Sequence, residues 1–255
     1  MYKVSETTAS PNNKARVAKL NTLQQKSGLR STEIARGAGI SYHTYLDYIH
    51  GKFHVPTSGI IKLSKFHKVP LPFLLSGEAT LPEERDALDT KQYSIENAVT
   101  NLRVLSLMKG ESYNKVAHNM GANSRMIERI GIGMLIQRAD IYVELAEYFG
   151  LTIEEFLRDC TVWPSVHDFF ERQSKRQRVV FLARVNGEHI SREQVSKTGR
   201  QSTVGIKDLH WNRDVAIQFA QQYHVPLGWI LDPELDLEPG TTLRTRAVTV
   251  QGVPQ

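Results

Sequence analysis

The chain has 255 residues, is 40% hydrophobic and 23% charged, and carries a formal charge of +5 with a pI near 9.2. That length fits one large domain or two to three small ones, each apolar enough to bury a core. No apolar run is long enough to cross a bilayer, the opening MYKVSETTASPNNK lacks the apolar stretch of a signal peptide, and the single cysteine, Cys160, excludes an intrachain disulfide framework and suits a reducing, cytoplasmic compartment.

Charge is unevenly spread. Residues 1–80 hold 11 Lys/Arg against 4 Asp/Glu, residues 81–160 hold 9 against 13, and residues 161–255 hold 12 against 10. The first third is therefore the strongest electrostatic candidate for a phosphate backbone. A solvated lysine-rich surface is the bland alternative.

Residues 1–13 are polar and read as a flexible arm. A helix is expected from near Lys14, with Val17, Leu20 and Leu23 on its apolar stripe and Gly28 as its stop. The next stretch, STEIARGAGISYHTYLDYIHG from Ser31 to Gly51, organises the rest. Ser31 is placed to cap a short helix through Gly37, and Gly39 supplies a left-handed turn that only a residue without Cβ enters cheaply. Ile40 plugs the core, and Ser41 caps a second helix from Tyr42 to about His50, stopped by Gly51. Two short capped helices across a glycine turn form a helix-turn-helix unit, which holds its second helix out where it can enter the major groove of DNA. A fourth helix is expected over Thr57–His67 after Pro56, and Val69–Leu75 (VPLPFLL) closes a first domain spanning 14–80.

Residues 81–93 are polar and acidic and read as a linker. The pattern then recurs over 94–160. Ile95, Val99, Leu102 and Leu105 mark the first helix, ending near Gly110. Ser112 caps a helix through Met120, Gly121 makes the turn, Ala122 is the plug, and Asn123 caps the next helix before Gly133. Ile141–Phe149 and Leu151–Leu157 supply the last two helices.

A third, divergent copy is read over 161–235. Val166–Val185 is expected as one long helical stretch with a basic middle, RQSKRQR at 172–178. Ser191 caps a helix through Lys197, Gly199 makes the turn, Gln201 or Ser202 starts the next helix, and Val215, Ile217, Phe219 and Ala220 mark the fourth. Val225–Leu231 (VPLGWIL) repeats the Val69–Leu75 pattern. The turn glycines 39, 121 and 199 recur about every eighty residues, and such a period is stronger evidence for tandem domains than any single motif. Residues 236–255 read as a disordered or extended tail.

Over Leu20–Leu75 and again over Leu102–Leu157, the apolar spacing, caps and glycines resemble the phage-repressor/Cro-type (XRE-like) helix-turn-helix family. The residues that carry the likeness are the x-E-[I/L]-A helix, G-I-S, TYLDYIHGK and VPLPFLL in the first copy. In the second they are Val116-Ala117, Gly121, Ile127, Gly133 and VELAEYFGLTIEEFL. The third copy departs from the pattern, with Arg200 at the usual apolar plug and a turn one residue short. The resemblance implies an all-α fold of tandem lambda-repressor-like domains, two clear and one degenerate, with recognition helices in the major groove of double-stranded DNA. By the same resemblance, Ser41, Tyr42, His43, Thr44 and Asp47 lie on the first recognition helix, and Ser31 and Thr32 meet a phosphate. Asn123, Ser124, Arg125, Glu128 and Arg129 match in the second copy, and Arg200, Gln201, Ser202 and Thr203 in the third.

Chemistry sharpens these positions. Arg125 and Arg129 sit four apart on one helix face, and a guanidinium pairs with the O6 and N7 edge of guanine, worth about 1–3 kcal/mol of discrimination. Pairing with the surrounding acidic surface, Glu128 included, is the structural alternative. The first recognition helix has no Lys or Arg; Asp47 can accept from cytosine N4, and Lys14, Arg16, Lys52, Lys62 and Lys65 are candidate phosphate contacts. Tyr45, Tyr48 and Ile49 are assigned to the core. The acidic Glu144, Glu147, Glu154 and Glu155 face solvent, a basic neighbour or RNA polymerase.

Metal and catalytic chemistry have little support. Gly51 breaks the helix that would align His50 with His54, Cys160 reads as a buried thiol without a His partner, and no phosphate loop or nucleophile elbow appears. The expected function is therefore a sequence-specific DNA-binding transcriptional regulator of phage, plasmid or mobile-element type, a nucleoid-associated non-enzyme without cofactor or membrane segment, and possible as a homodimer. The alternative is an interaction or architectural protein in which one copy binds DNA and the others mediate dimerisation or RNA polymerase contact.

Overall fold

The computed structural model describes residues 11–77, 92–186 and 213–244. In chain order the helices are α1 (Pro11–Ser27), α2 (Ser31–Gly37), α3 (Tyr42–Ile49), α4 (Thr57–His67), α5 (Leu71–Leu75), α6 (Ile95–Met108), α7 (Tyr113–Met120), α8 (Ser124–Gly131), α9 (Asp140–Tyr148), α10 (Ile153–Phe156), α11 (Pro164–Glu171), α12 (Lys175–Val185), α13 (Arg213–Tyr223) and α14 (Leu227–Leu231). A 3-10 turn occupies Cys160–Val162, and no strand occurs among the described residues, so the all-α class holds.

The described residues form two compact units: 11–77 and 92–94 with 135–158, and 95–134 with 159–186 and 213–244. These do not coincide with the spans 14–80, 94–160 and 161–235 read from the sequence. In the first unit α9 and α10 pack on α5; in the second α6 packs on α8 and α12.

In the first unit α1 begins at Pro11 rather than near Lys14, so residues 11–13 leave the expected arm. Proline suits a first turn, where a missing N–H is harmless. Asn13 is buried and accepts the Val55 N–H (3.3 Å), while Asn12 accepts that of Gly77 (3.2 Å). Leu20 and Leu23 are buried, as are Ile34, Ala35, Tyr45 and Leu63 of the following helices.

α2 starts differently from its expected cap. Arg30 precedes the helix, with its N–H donated to the Glu33 carboxylate (2.8 Å). Ser31 is already helical, and its hydroxyl instead accepts from Gln24 Nε2 (2.9 Å). The α2–α3 turn is as expected: Gly39 has φ +63°, and the Ser41 hydroxyl accepts the Thr44 N–H (3.1 Å), a cap worth about 1 kcal/mol. Tyr45, Tyr48 and Ile49 are buried, and burial pushes the Tyr45 phenol up to about 12.

Arg16, offered by the sequence as a phosphate contact, is instead interior. It is 2% exposed, donates through Nε to Leu74 O (3.0 Å) and Nη2 to Leu75 O (2.6 Å), and forms an ion pair with Asp140 at the start of α9. The last carbonyls of α5 lack intrahelical partners, and a buried guanidinium satisfies them. Lys19 adds bonds to Phe73 O (2.9 Å) and Ser76 O (2.7 Å).

In the second unit Ser112 caps α7, Gly121 ends it at φ +64°, and Asn123 caps α8, as the sequence predicts. The stretch 166–185 is not one helix. α11 stops at Glu171, and Ser174 with Gln177 forms a capping box that starts α12. Arg178, from the basic run, is 2% exposed and donates to the carbonyls of Trp229 (3.3 Å), Glu171 (2.6 Å) and Asp232. This arrangement repeats that of Arg16: RVAKLNTL at 16–23 matches RVVFLARV at 178–185, and each arginine closes the end of a VPLxx-type helix.

The core of this unit gathers Val104, Cys160, Val166, Phe170, Phe181, Leu182, Phe219, Tyr223 and Ile230. Residues 236–244 are packed rather than a loose tail: Leu237 and Leu243 are buried, and Leu237 N–H reaches Glu171 Oε1 (2.8 Å). Ser191–Thr203, the rest of that expected turn, residues 1–10, 81–91 and 245–255 lie outside the described residues.

Candidate nucleic-acid interface

α3 and α8 each bury one face and expose the other. On α3, Ser41, Tyr42 and His43 are exposed, and Thr44 and Asp47 are half-buried. The Tyr42 and His43 rings lie 5.6 Å apart, and the Ser41 and Thr44 hydroxyls are 2.6 Å apart. Asp47 pairs with Lys52 at 3.5 Å, which offsets the repulsion this carboxylate would exert on a phosphate. Thr32 is exposed at the start of α2, with Ser31 half-buried and engaged by Gln24. Lys62 donates to Gly39 O (3.1 Å), whereas Lys14 and Lys65 are exposed.

On α8, Ile127 and Ile130 are fully buried and fix the helix, while Asn123, Ser124, Arg125, Glu128 and Arg129 are exposed. The Asn123 side-chain carbonyl accepts the Arg125 N–H (3.0 Å). Among the described residues neither Arg125 nor Arg129 enters an ion pair. Their guanidiniums therefore keep the donor forks that base edges or phosphates accept. Lys115 and His118 on α7 are exposed as well.

Arg200, Gln201, Ser202 and Thr203 lie outside the described residues. Of the basic run, Arg172 and Lys175 are exposed, Arg176 is half-buried and Arg178 is interior, so the run is not a single solvated or phosphate-facing stripe. Glu144 pairs with Arg138, and Glu155 caps α10 through Thr152; Glu147 is exposed and Glu154 half-buried. Cys160 is enclosed, and burial together with Asp159 pushes its thiol well up. No group of His, Cys, Asp and Glu fit to hold a metal occurs among the described residues, and no described helix is long and apolar enough to cross a membrane.

Sequence reasoning missed one charged cluster. Arg103, buried at 3% exposure between Leu102 and Val104 on α6, donates Nε to Gly131 O (2.6 Å). The Arg184 guanidinium on α12 lies 6.0 Å from the centre of the Tyr113 ring at the start of α7, and burial raises the Tyr113 phenol above its usual range. An arginine inside the apolar stripe of a helix was the available signal. It also missed Phe53 and Ile132, 64% and 50% exposed just beyond the ends of α3 and α8.

Comparison with protein-family models, curated proteins and solved structures finds no match for this chain.

Proposed function

We propose that this chain is a sequence-specific double-stranded DNA-binding regulator, built from tandem XRE-like helix-turn-helix units of the kind used by phages, plasmids and other mobile elements. The carrying observation is the pair α3 and α8. Each follows a left-handed glycine turn and a side-chain cap, is anchored by buried apolar residues, and leaves a row of polar or cationic side chains exposed. The arginine closure shared by α1–α5 and α12–α14 supports a third, divergent copy in the same chain. The two helices differ in chemistry, so the favoured target is an extended site with unlike elements, one of them containing guanine opposite Arg125 or Arg129. Linked weak modules gain affinity through effective concentration.

Selection from random duplex DNA, followed by binding measured against salt concentration, tests this reading. An enriched motif and a steep salt slope are expected. Arg125→Ala should weaken binding to the selected site by about 1–3 kcal/mol and relax preference at one or two positions. An equal loss on every duplex would make Arg125 a purely electrostatic contact. Failure to bind any duplex at low ionic strength would overturn the proposal.

A further inference from the structure

The ends of α3 and α8 are closed in the same way. After α3 the chain turns back at Gly51 (φ +67°), and the N–H groups of His50, Lys52 and Gly51 donate to the carbonyls of Leu46, Asp47 and Tyr48. After α8 it turns at Gly133 (φ +89°), and those of Ile132, Met134 and Gly133 donate to Glu128, Arg129 and Ile130. Each turn leaves the carbonyl of the helix's final residue without a backbone donor among the described residues. A side chain from the first helix of the same unit supplies it. Asn21 Nδ2 on α1 donates to Ile49 O (3.1 Å), and Arg103 Nε on α6 donates to Gly131 O (2.6 Å). Donor and acceptor stand 28 residues apart in both copies, and the donors directly follow Leu20 and Leu102.

Arginine is a costly donor for that bond. Arg103 is almost wholly enclosed, its Nη1 has no hydrogen-bond partner, and no carboxylate acts on it. Burying a guanidinium without a counter-charge costs more than burying an apolar side chain of like volume. What Arg103 supplies is a directed donor at a carbonyl two residues beyond Arg129. The buried Ile127 and Ile130 on α8, like Tyr45, Tyr48 and Ile49 on α3, keep the helix against its core. Apolar contact has no direction, however, and leaves a short helix free to slide and tilt slightly. A hydrogen bond constrains both distance and angle, and a recognition constellation works only within about 0.5 Å of its productive geometry.

We propose that Asn21 and Arg103 are positioning residues for base reading: each holds the last carbonyl of its recognition helix, α3 or α8, and so sets the angle at which that helix presents its exposed side chains. This rests on the DNA-binding reading above. The side chains positioned are Tyr42, His43 and Thr44 in the first copy and Arg125 and Arg129 in the second. The two bonds themselves touch no nucleotide and add no phosphate contact. Losing one therefore lowers the preference among sequences and leaves the salt dependence of binding as it was.

Arg103→Gln and Arg103→Met separate the donor from the charge. Glutamine carries Nε2 as many bonds from the backbone as arginine carries Nε, methionine has a methyl group there, and both remove the charge. The probe is the duplex that the full-length wild type enriches from random DNA, with its single-base-pair substitutions. Preference is read as the ratio of affinities for two duplexes. That ratio does not depend on the fraction of protein folded, so a loss of stability alone leaves it unmoved. At the positions that Arg125→Ala relaxes, Arg103→Met should lower the ratio by about fivefold or more, while Arg103→Gln should stay near the wild type. Both should keep the wild-type salt slope. Asn21→Leu should lower the ratio at other positions and spare those. Equal losses in Arg103→Met and Arg103→Gln, or a shallower slope in either, would overturn the positioning role. Unchanged preference in Asn21→Leu would overturn it for the first copy. A wild type that selects a site while Arg103→Met matches its ratios would sink this inference alone, whereas a wild type that binds no duplex would sink the DNA-binding reading and this inference with it.

Discussion

Arg16→Met is expected to destabilise the first unit by about 3–5 kcal/mol, read as a lowered urea midpoint with little change in slope. Methionine fills a similar volume, so the loss is electrostatic and polar rather than a cavity. The carbonyls of Leu74 and Leu75 lose their donor inside the unit, and the Asp140 carboxylate, only 15% exposed, loses its cation. Exposed ion pairs seldom exceed about 1 kcal/mol, so a loss below that would show that water reaches this arginine and that the closure is weak. Pairing Arg16→Met with Asp140→Leu should recover part of the loss, because a buried pair replaced whole by apolar side chains is often close to neutral.

Gly131→Ala should destabilise the second unit by about 1–3 kcal/mol, toward the upper end of that range. A Cβ at this position would stand 2.9 Å from Tyr113 Oη and closer still to Cε2 and Cζ. Such a clash is cheap when the neighbour can swing away, but the Arg184 guanidinium lies 6.0 Å from the centre of the Tyr113 ring, and the Gly131 carbonyl is itself bonded by the buried Arg103. Thermal unfolding of Gly131→Ala, Tyr113→Ala and the double variant forms the check. The double variant should be more stable than the sum of the singles implies. Additive effects would show that ring and glycine do not constrain one another.

Local chemistry made much of the fold legible. Ser41, Ser112 and Asn123 cap because short oxygen-bearing side chains compete for the first free N–H groups, and Gly39 and Gly121 turn because only glycine enters that conformation cheaply. Tyr45, Tyr48, Ile127 and Ile130 were assignable because helical spacing alone selects the buried face.

What escaped depended on partners distant in sequence. Arg16 and Arg178 read as surface cations until the ends of α5 and α14 come into place, 58 and 51 residues away. Arg103 escaped for the same reason. The break at Ser174 was legible as a capping box but was obscured by the continuous basic run around it. The units divide differently from the sequence spans because α9 and α10 are drawn to α5 by the Arg16–Asp140 pair and by Thr57 N–H bonding Gln137 O (3.1 Å), neither of which leaves a periodic trace. Of the candidate interface, the positions on α3 and α8 were readable from spacing, but the commitment of Asp47 to Lys52 and of Ser31 to Gln24 was not.

Cys160 lies sealed in the second unit, its N–H held by Asn101 Oδ1 (3.1 Å), and it is the only thiol in the chain. The intact protein is thus its own clock for structural opening. An alkylating dye can label a molecule only while that interior is breached, so the labelling rate under native conditions should track the breached fraction and accelerate in Gly131→Ala.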